Sequence, residues 1–156
     1  MRLYLVQHGE AEAEAEDRER SLTMKGEKGV RNVAKLAQYL GVRPSRIYHS
    51  GKRRAEQTAK ILGEALRKPV DAAQGLSPND DVRPWRDRIF QEKGDMMLVG
   101  HLPFLEKLAS LLIADDPGAR PVLFSYGAVI CLDQKTEGGW GVRWILTPEM
   151  VSVEDI

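Results

Sequence analysis

The chain has 156 residues, enough for one domain with a real core, and its 23 basic residues balance 23 acidic ones. Zero net charge argues against a protein that coats nucleic acid, though it leaves room for a local basic pocket. A lone cysteine, Cys131, excludes an intrachain disulfide.

The N-terminus shows no basic region followed by an apolar stretch and a cleavage site, and no apolar run is long enough to span a bilayer. These features point to a soluble cytoplasmic protein with no membrane partner. The three histidines, His8, His49 and His101, lack any HExxH or CxxC spacing, which argues against a metal site.

The first predicted element is RLYLV, residues 2–6, a short apolar strand buried on both faces. Residues 10–21 are acidic, then basic, with no large apolar residue, and suit a solvated loop or a frayed helix. From Lys25 to Leu40 the apolar positions Val30, Val33, Ala34, Ala37 and Leu40 recur at helical spacing, with Gly41 as the stop. RIYHS, 46–50, reads as a second strand. Gly51 to Arg67 reads as a helix with Ala55, Ala59, Leu62 and Leu66 on one face. Pro69, Gly75 and Pro78 break the next segment, and 84–92 form a short helix. MMLVG, 96–100, is a third strand, and 102–114 a strongly apolar helix closed by Asp115-Asp116-Pro117-Gly118. AVICLD (128–133) and VRWIL (142–146) read as a late hairpin. MVSVEDI at the end is either an ordered edge or a loose tail.

Strands alternating with amphipathic helices predict an α/β fold with a mostly parallel sheet, in a single domain over 1–156. In such sheets the binding crevice lies beyond the carboxyl ends of the strands. Three predicted strands end on reactive residues: Gln7-His8-Gly9-Glu10, His49-Ser50 followed by Lys52, Arg53 and Arg54, and Gly100-His101. Two histidines and a basic cluster at one sheet edge suit phosphate. Arginine offers a planar fork of donors, a helix start offers free amides, and histidine serves as nucleophile or proton donor. His49 alternates away from its neighbours and reads as structural. No GxxxxGK[ST] or GxGxxG supports nucleotide binding.

Four stretches then resemble one family in the right order. LYLVQHGEAE resembles a strand ending in Arg-His-Gly. RSLTMKG resembles Arg-Pro-Leu-Thr-x-x-Gly. HSGKRRAEQTA resembles Ser-Pro-x-x-Arg-Ala-x-Gln-Thr, and LVGHLPFLEKLA a second-histidine motif. The sequence is similar to the histidine phosphatase (phosphoglycerate mutase-like) superfamily, and within it to small bacterial phosphohistidine phosphatases of the SixA type. The resemblance implies a three-layer α/β/α fold, with helices on both faces of the sheet, and neither metal nor organic cofactor. It implies His8 as the nucleophile that carries the phosphoryl group, Arg54 as the phosphate clamp and His101 as a hydrogen-bond donor to the phosphoryl group. Gly9 would let the backbone pass close to the phosphate. A phosphorylated protein carrying phosphohistidine is the implied substrate.

Two departures follow. Gln7 stands where the family has arginine, so a charge-assisted contact of about 1.5–3 kcal/mol is lost, enough to slow turnover roughly ten- to a hundredfold. Arg20, or Lys52 with Arg53, could replace the charge. The carboxylic acid of larger family members has no clear counterpart, the candidates being Glu10, Asp80 and Asp81. Its lack favours phosphohistidine, whose imidazole leaves more readily than an alkoxide. The alternatives are a phosphatase for a small phosphate ester and a weakly active phosphate-binding regulatory module.

Overall fold

A computed structural model describes residues 1–151. The elements run β1 (Arg2–Gln7), α1 (Met24–Tyr39), β2 (Arg46–His49), α2 (Arg53–Leu66), β3 (Val70–Ala72), α3 (Arg83–Gln91), β4 (Met96–Gly100), α4 (Phe104–Ala114), β5 (Val129–Gln134) and β6 (Trp140–Leu146), then a 3-10 turn at Pro148–Met150. The sheet order is β3-β2-β4-β1-β5-β6. The four strands from β3 to β1 are mutually parallel, and β5 and β6 add antiparallel at the β1 edge.

Side chains alternate across the sheet with a period of two. Leu3 and Leu5 of β1, with Met96 and Leu98 of β4, pack with α3 and α4 through Trp85, Ile89, Phe104 and Leu108. Tyr4 and Val6, with Met97 and Val99, pack with α1 and α2 through Val33, Ala37, Ala59 and Leu62. Both faces of the central strands are therefore apolar, which is why β1 and β4 read as continuous apolar runs.

Several boundaries differ from the sequence reading. Strand β1 extends to Gln7, so Gln7 belongs to the ladder, opposite Gly100 of β4. Leu40 is not on the buried face of α1; it caps the helix one residue past Tyr39 and is 55% exposed. Helix α2 starts at Arg53 rather than Gly51, whose φ of +89° lies outside helical space. The edge strand β3 had no sequence signal. Of the final segment, Met150 and Val151 end the 3-10 turn, and residues 152–156 lie outside the described residues. Among the described residues no helix is long and apolar enough to cross a membrane.

Local chemistry fixes the strand-end loops. Thr23 caps α1 by accepting from the Gly26 amide at 2.9 Å, and its own hydroxyl donates to Glu10 Oε2 at 2.9 Å. The chain after β1 passes so close to this helix start that a Cβ on Gly26 would lie 2.1 Å from the Glu10 carbonyl.

Candidate active site

The parallel register sets the ends of β2, β4 and β1 side by side, with Gln7 level with Gly100 and His49 level with Val99. His8 and His101 follow directly from two of these ends, and their ring centroids lie 5.1 Å apart. Both rings are buried. Arg54, in the first turn of α2, donates from Nε to His8 Nε2 at 3.3 Å. The structure thus brings together His8, His101 and Arg54, the residues that the sequence set at three strand ends.

The tautomer of His8 follows from its two partners. Nδ1 lies 2.7 Å from the Gly9 carbonyl, which can only accept, so the proton sits on Nδ1. Nε2 then keeps its lone pair and accepts from Arg54. Burial is the main force on the ring and pushes its pKa down to about 4; the Gly9 bond opposes this, and the charges of Arg54 and Arg20 add to it. His101 is pushed down to about 3, first by burial, then by His8 and the nearby cations. Its Nε2 meets Ser50 Oγ at 2.6 Å, and its Nδ1 is buried with no partner. A buried orphan acceptor is less costly than an orphan N–H, so Nε2 carries the proton and donates to Ser50.

Both rings are therefore neutral near pH 7, and this has a consequence for stability. The unfolded rings titrate near 6.5 and the folded ones near 4 and 3. Below pH 6.5 the unfolded state binds more protons, so stability falls as pH drops through that window, with a slope of up to about 1.4 kcal/mol per pH unit for each ring. Urea unfolding at stepped pH checks the slope, and the ring nitrogen shifts check the cause. A midpoint near 6.5 for either ring in the folded protein defeats the assignment.

The fold places its own demand on the smallness of Gly9. A Cβ there would lie 2.7 Å from Val30 of α1, so the close approach is to the helix. Its amide donates to Thr58 Oγ1 at 3.0 Å, and Thr58 donates to the Arg54 carbonyl at 2.8 Å. Thr58 therefore bolts the helix carrying Arg54 to the backbone beside His8. Sequence reasoning passed over Thr58 although it lies within the AEQT stretch. It also missed the Ser50 contact and Tyr126, whose ring centroid is 5.7 Å from that of His8.

The remaining candidates divide. Arg20, with φ of +53°, is held by its Nε on the Glu12 carbonyl at 3.1 Å. Its charge reaches His8, His101 and Arg54. With Lys52, Arg53 and Arg54 it lines a cleft of about 590 Å3. Arg53 is committed to Ser21 Oγ at 2.7 Å and Glu19 at 3.3 Å. Lys52 is exposed at the start of α2. Gln7 is buried, and its Oε1 has no hydrogen-bond partner. Glu10 is tied to Thr23, and Asp80 accepts from the Ser77 amide at 2.9 Å. Asp81 accepts from the Arg83 amide and guanidinium, which hold its carboxyl below the usual range. None of these three carboxylates bonds to His8, Arg54 or His101. His49 accepts from the Gly51 amide at 3.0 Å and shapes the turn into α2. Among the described residues no three His, Cys, Asp or Glu side chains cluster as a metal would require.

The sequence pattern of the histidine phosphatase superfamily (branch 1) matches residues 3–92. The chain belongs to that superfamily, whose members are enzymes of the phosphatase and mutase type. It is 36% identical over 127 residues to an uncharacterized protein of Picosynechococcus sp., covering 76% of each chain. It is 27% identical over 155 residues to the phosphohistidine phosphatase SixA of Escherichia coli, covering 95% of this chain and 94% of that protein. The structure of a protein histidine phosphatase SixA complexed with tungstate superposes with a TM-score of 0.84 at 25% identity, over 96% of this chain and 99% of that one.

Proposed function

We propose that this protein is a phosphatase that removes the phosphoryl group from phosphohistidine in a protein substrate, through a covalent phosphohistidine on His8. The observation that carries the reading is the His8 ring: neutral, oriented by Gly9, with its Nε2 lone pair beside Arg54. A nucleophile needs that lone pair, and a phosphoryl group needs that cation. The full-length similarity to SixA supports the choice of phosphohistidine.

In the first step His8 Nε2 attacks phosphorus and the bond to the substrate imidazole breaks. The departing ring takes a proton from solvent on its free nitrogen. In the second step water attacks the phosphorus, phosphate leaves and His8 regains its lone pair. Arg54 holds phosphoryl oxygens through both steps. His101 turns its Nε2 proton from Ser50 to the oxygen charge that grows in the transition state. An imidazole leaving group needs no strong acid, in keeping with the engagement of Glu10, Asp80 and Asp81 elsewhere.

Arg20 supplies the positive charge that Gln7 lacks. Its Nε is anchored, it shares the cleft with Arg54, and its field acts on both histidines. Arg20→Ala lowers kcat/KM about tenfold, the lower end for losing a charged hydrogen bond.

The deciding experiment compares a phosphohistidine-bearing protein with p-nitrophenyl phosphate. The protein substrate is expected to react with the higher kcat/KM. Equal or better use of the ester points to a small phosphate ester instead. No phosphate label on the wild-type chain from either donor leaves only a phosphate-binding module.

A further inference from the structure

Tyr126 is an aromatic side chain at the site that none of the sequence motifs covers. Its ring lies 5.7 Å from His8, tilted by 40°, and half of it is exposed. The loop that carries it is fastened to the strand of the nucleophile. The Gly127 amide donates to the carbonyls of Gln7 at 3.0 Å and His8 at 3.1 Å, and Ala128 closes the turn onto Ser125. Val122 and Phe124 anchor the same loop in the core on the α4 side. A ring held this firmly against a nucleophile, yet left half open, is neither core nor a free loop side chain. Tyr126 also lies near Arg54. Burial lowers the Arg54 pKa, Arg20 lowers it further, and the Tyr126 phenol acts against both. The ring therefore flanks the nucleophile and lies within electrostatic reach of the phosphate clamp.

That placement matters for the group that departs. In an in-line displacement the leaving group lies across phosphorus from the attacking nitrogen, outward of the Arg54 clamp. We propose that Tyr126 is a specificity-determining residue: its open ring surface receives the planar aromatic leaving group, the imidazole of phosphohistidine, and selects aromatic over aliphatic phosphoryl donors. The proposal rests on His8 as the nucleophile. Aromatic rings gain from offset or edge-to-face pairing with tyrosine. A serine or glycerol leaving group gains neither.

The test uses Tyr126→Leu and Tyr126→Phe with four phosphate donors: phosphohistidine peptide and phenyl phosphate as aromatic, phosphoserine and acetyl phosphate as aliphatic. In Y126L the rate of His8 phosphorylation by the aromatic donors falls roughly three- to tenfold, the range that aromatic pairing energies convert to, and by less than twofold with the aliphatic ones. Y126F keeps the preference. Hydrolysis of the phosphorylated enzyme is the same in all three proteins, because the leaving group has already gone. Equal losses with every donor, or slower hydrolysis of the intermediate, overturn the proposal. Calorimetric binding reads the same preference without chemistry: Y126L binds phenyl phosphate more weakly by a similar factor and phosphoserine equally well. Equal weakening of both overturns it. If the wild-type chain takes no label, His8 as nucleophile fails, and the calorimetry still decides Tyr126.

Discussion

His8→Ala loses phosphoryl transfer: no phosphate label appears on the chain, and kcat falls by roughly 10⁴ or more, the scale on which loss of a nucleophile acts. The physical case is that no other group can take over. His101 is 5.1 Å away, centroid to centroid, and its Nε2 is engaged with Ser50 as a donor. Arg54, Lys52 and Arg20 are cations without a lone pair to offer. The substitution removes a ring that is neutral near pH 7, so it takes no charge out of the cleft, and the Gly9 carbonyl is the one backbone partner released. Phosphate binding is therefore expected to persist within a few-fold through Arg54. His101→Ala is milder, about 10²- to 10³-fold in kcat with the label still formed, because it removes a donor rather than the attacking atom. The label is chased with radioactive donor and tested for the acid lability of a phosphoimidazole. A labelled H8A protein, or one that turns over at a tenth of the wild-type rate, places the nucleophile elsewhere.

The sequence carried the convergence of the site better than its finish. Apolar runs that end on Gln7-His8, His49-Ser50 and Gly100-His101 located three strand ends, and the parallel pairing then had to set them side by side. Leu40 broke the helical reading because the apolar period carries on to a residue that lies just past the helix end at Tyr39. Strand β3 escaped because Val70–Ala72 is too short to show a period, and its residues are half-buried or exposed at the sheet edge. The contacts that complete the site span 51 residues from Ser50 to His101 and 49 from Gly9 to Thr58, and no local pattern encodes such pairs. Tyr126 is a single aromatic residue in an irregular loop, so it had neither period nor motif to betray it. Gly9 stood out by its place in the His-Gly motif, while its crowding against Val30 of α1, 21 residues on, had no local signal.

Gln7→Arg is expected to speed the enzyme and weaken the resting protein at once. Gln7 closes β1 as a residue only 7% exposed, with its Oε1 buried and unpaired, so the position already bears an unmet polar cost. An arginine there adds a full charge next to His8, a ring on which the charges of Arg54 and Arg20 already act. Without an oxyanion three like charges oppose one another, and the melting temperature falls. With phosphate or tungstate bound, the dianion offsets them and the lost stability returns. In turnover the added fork grips the phosphoryl oxygens as their charge shifts. The gain in kcat/KM is about tenfold in the wild-type background and up to about a hundredfold in Arg20→Ala, since there the new guanidinium has no substitute to share the work with. The four proteins form a double-mutant cycle, and its coupling term is the measurement. An equal gain in both backgrounds means that Arg20 acts on the histidines alone and never touches phosphate. No gain in either means that the pocket is built around the glutamine amide, and the positive charge at position 7 is dispensable to the chemistry of this chain.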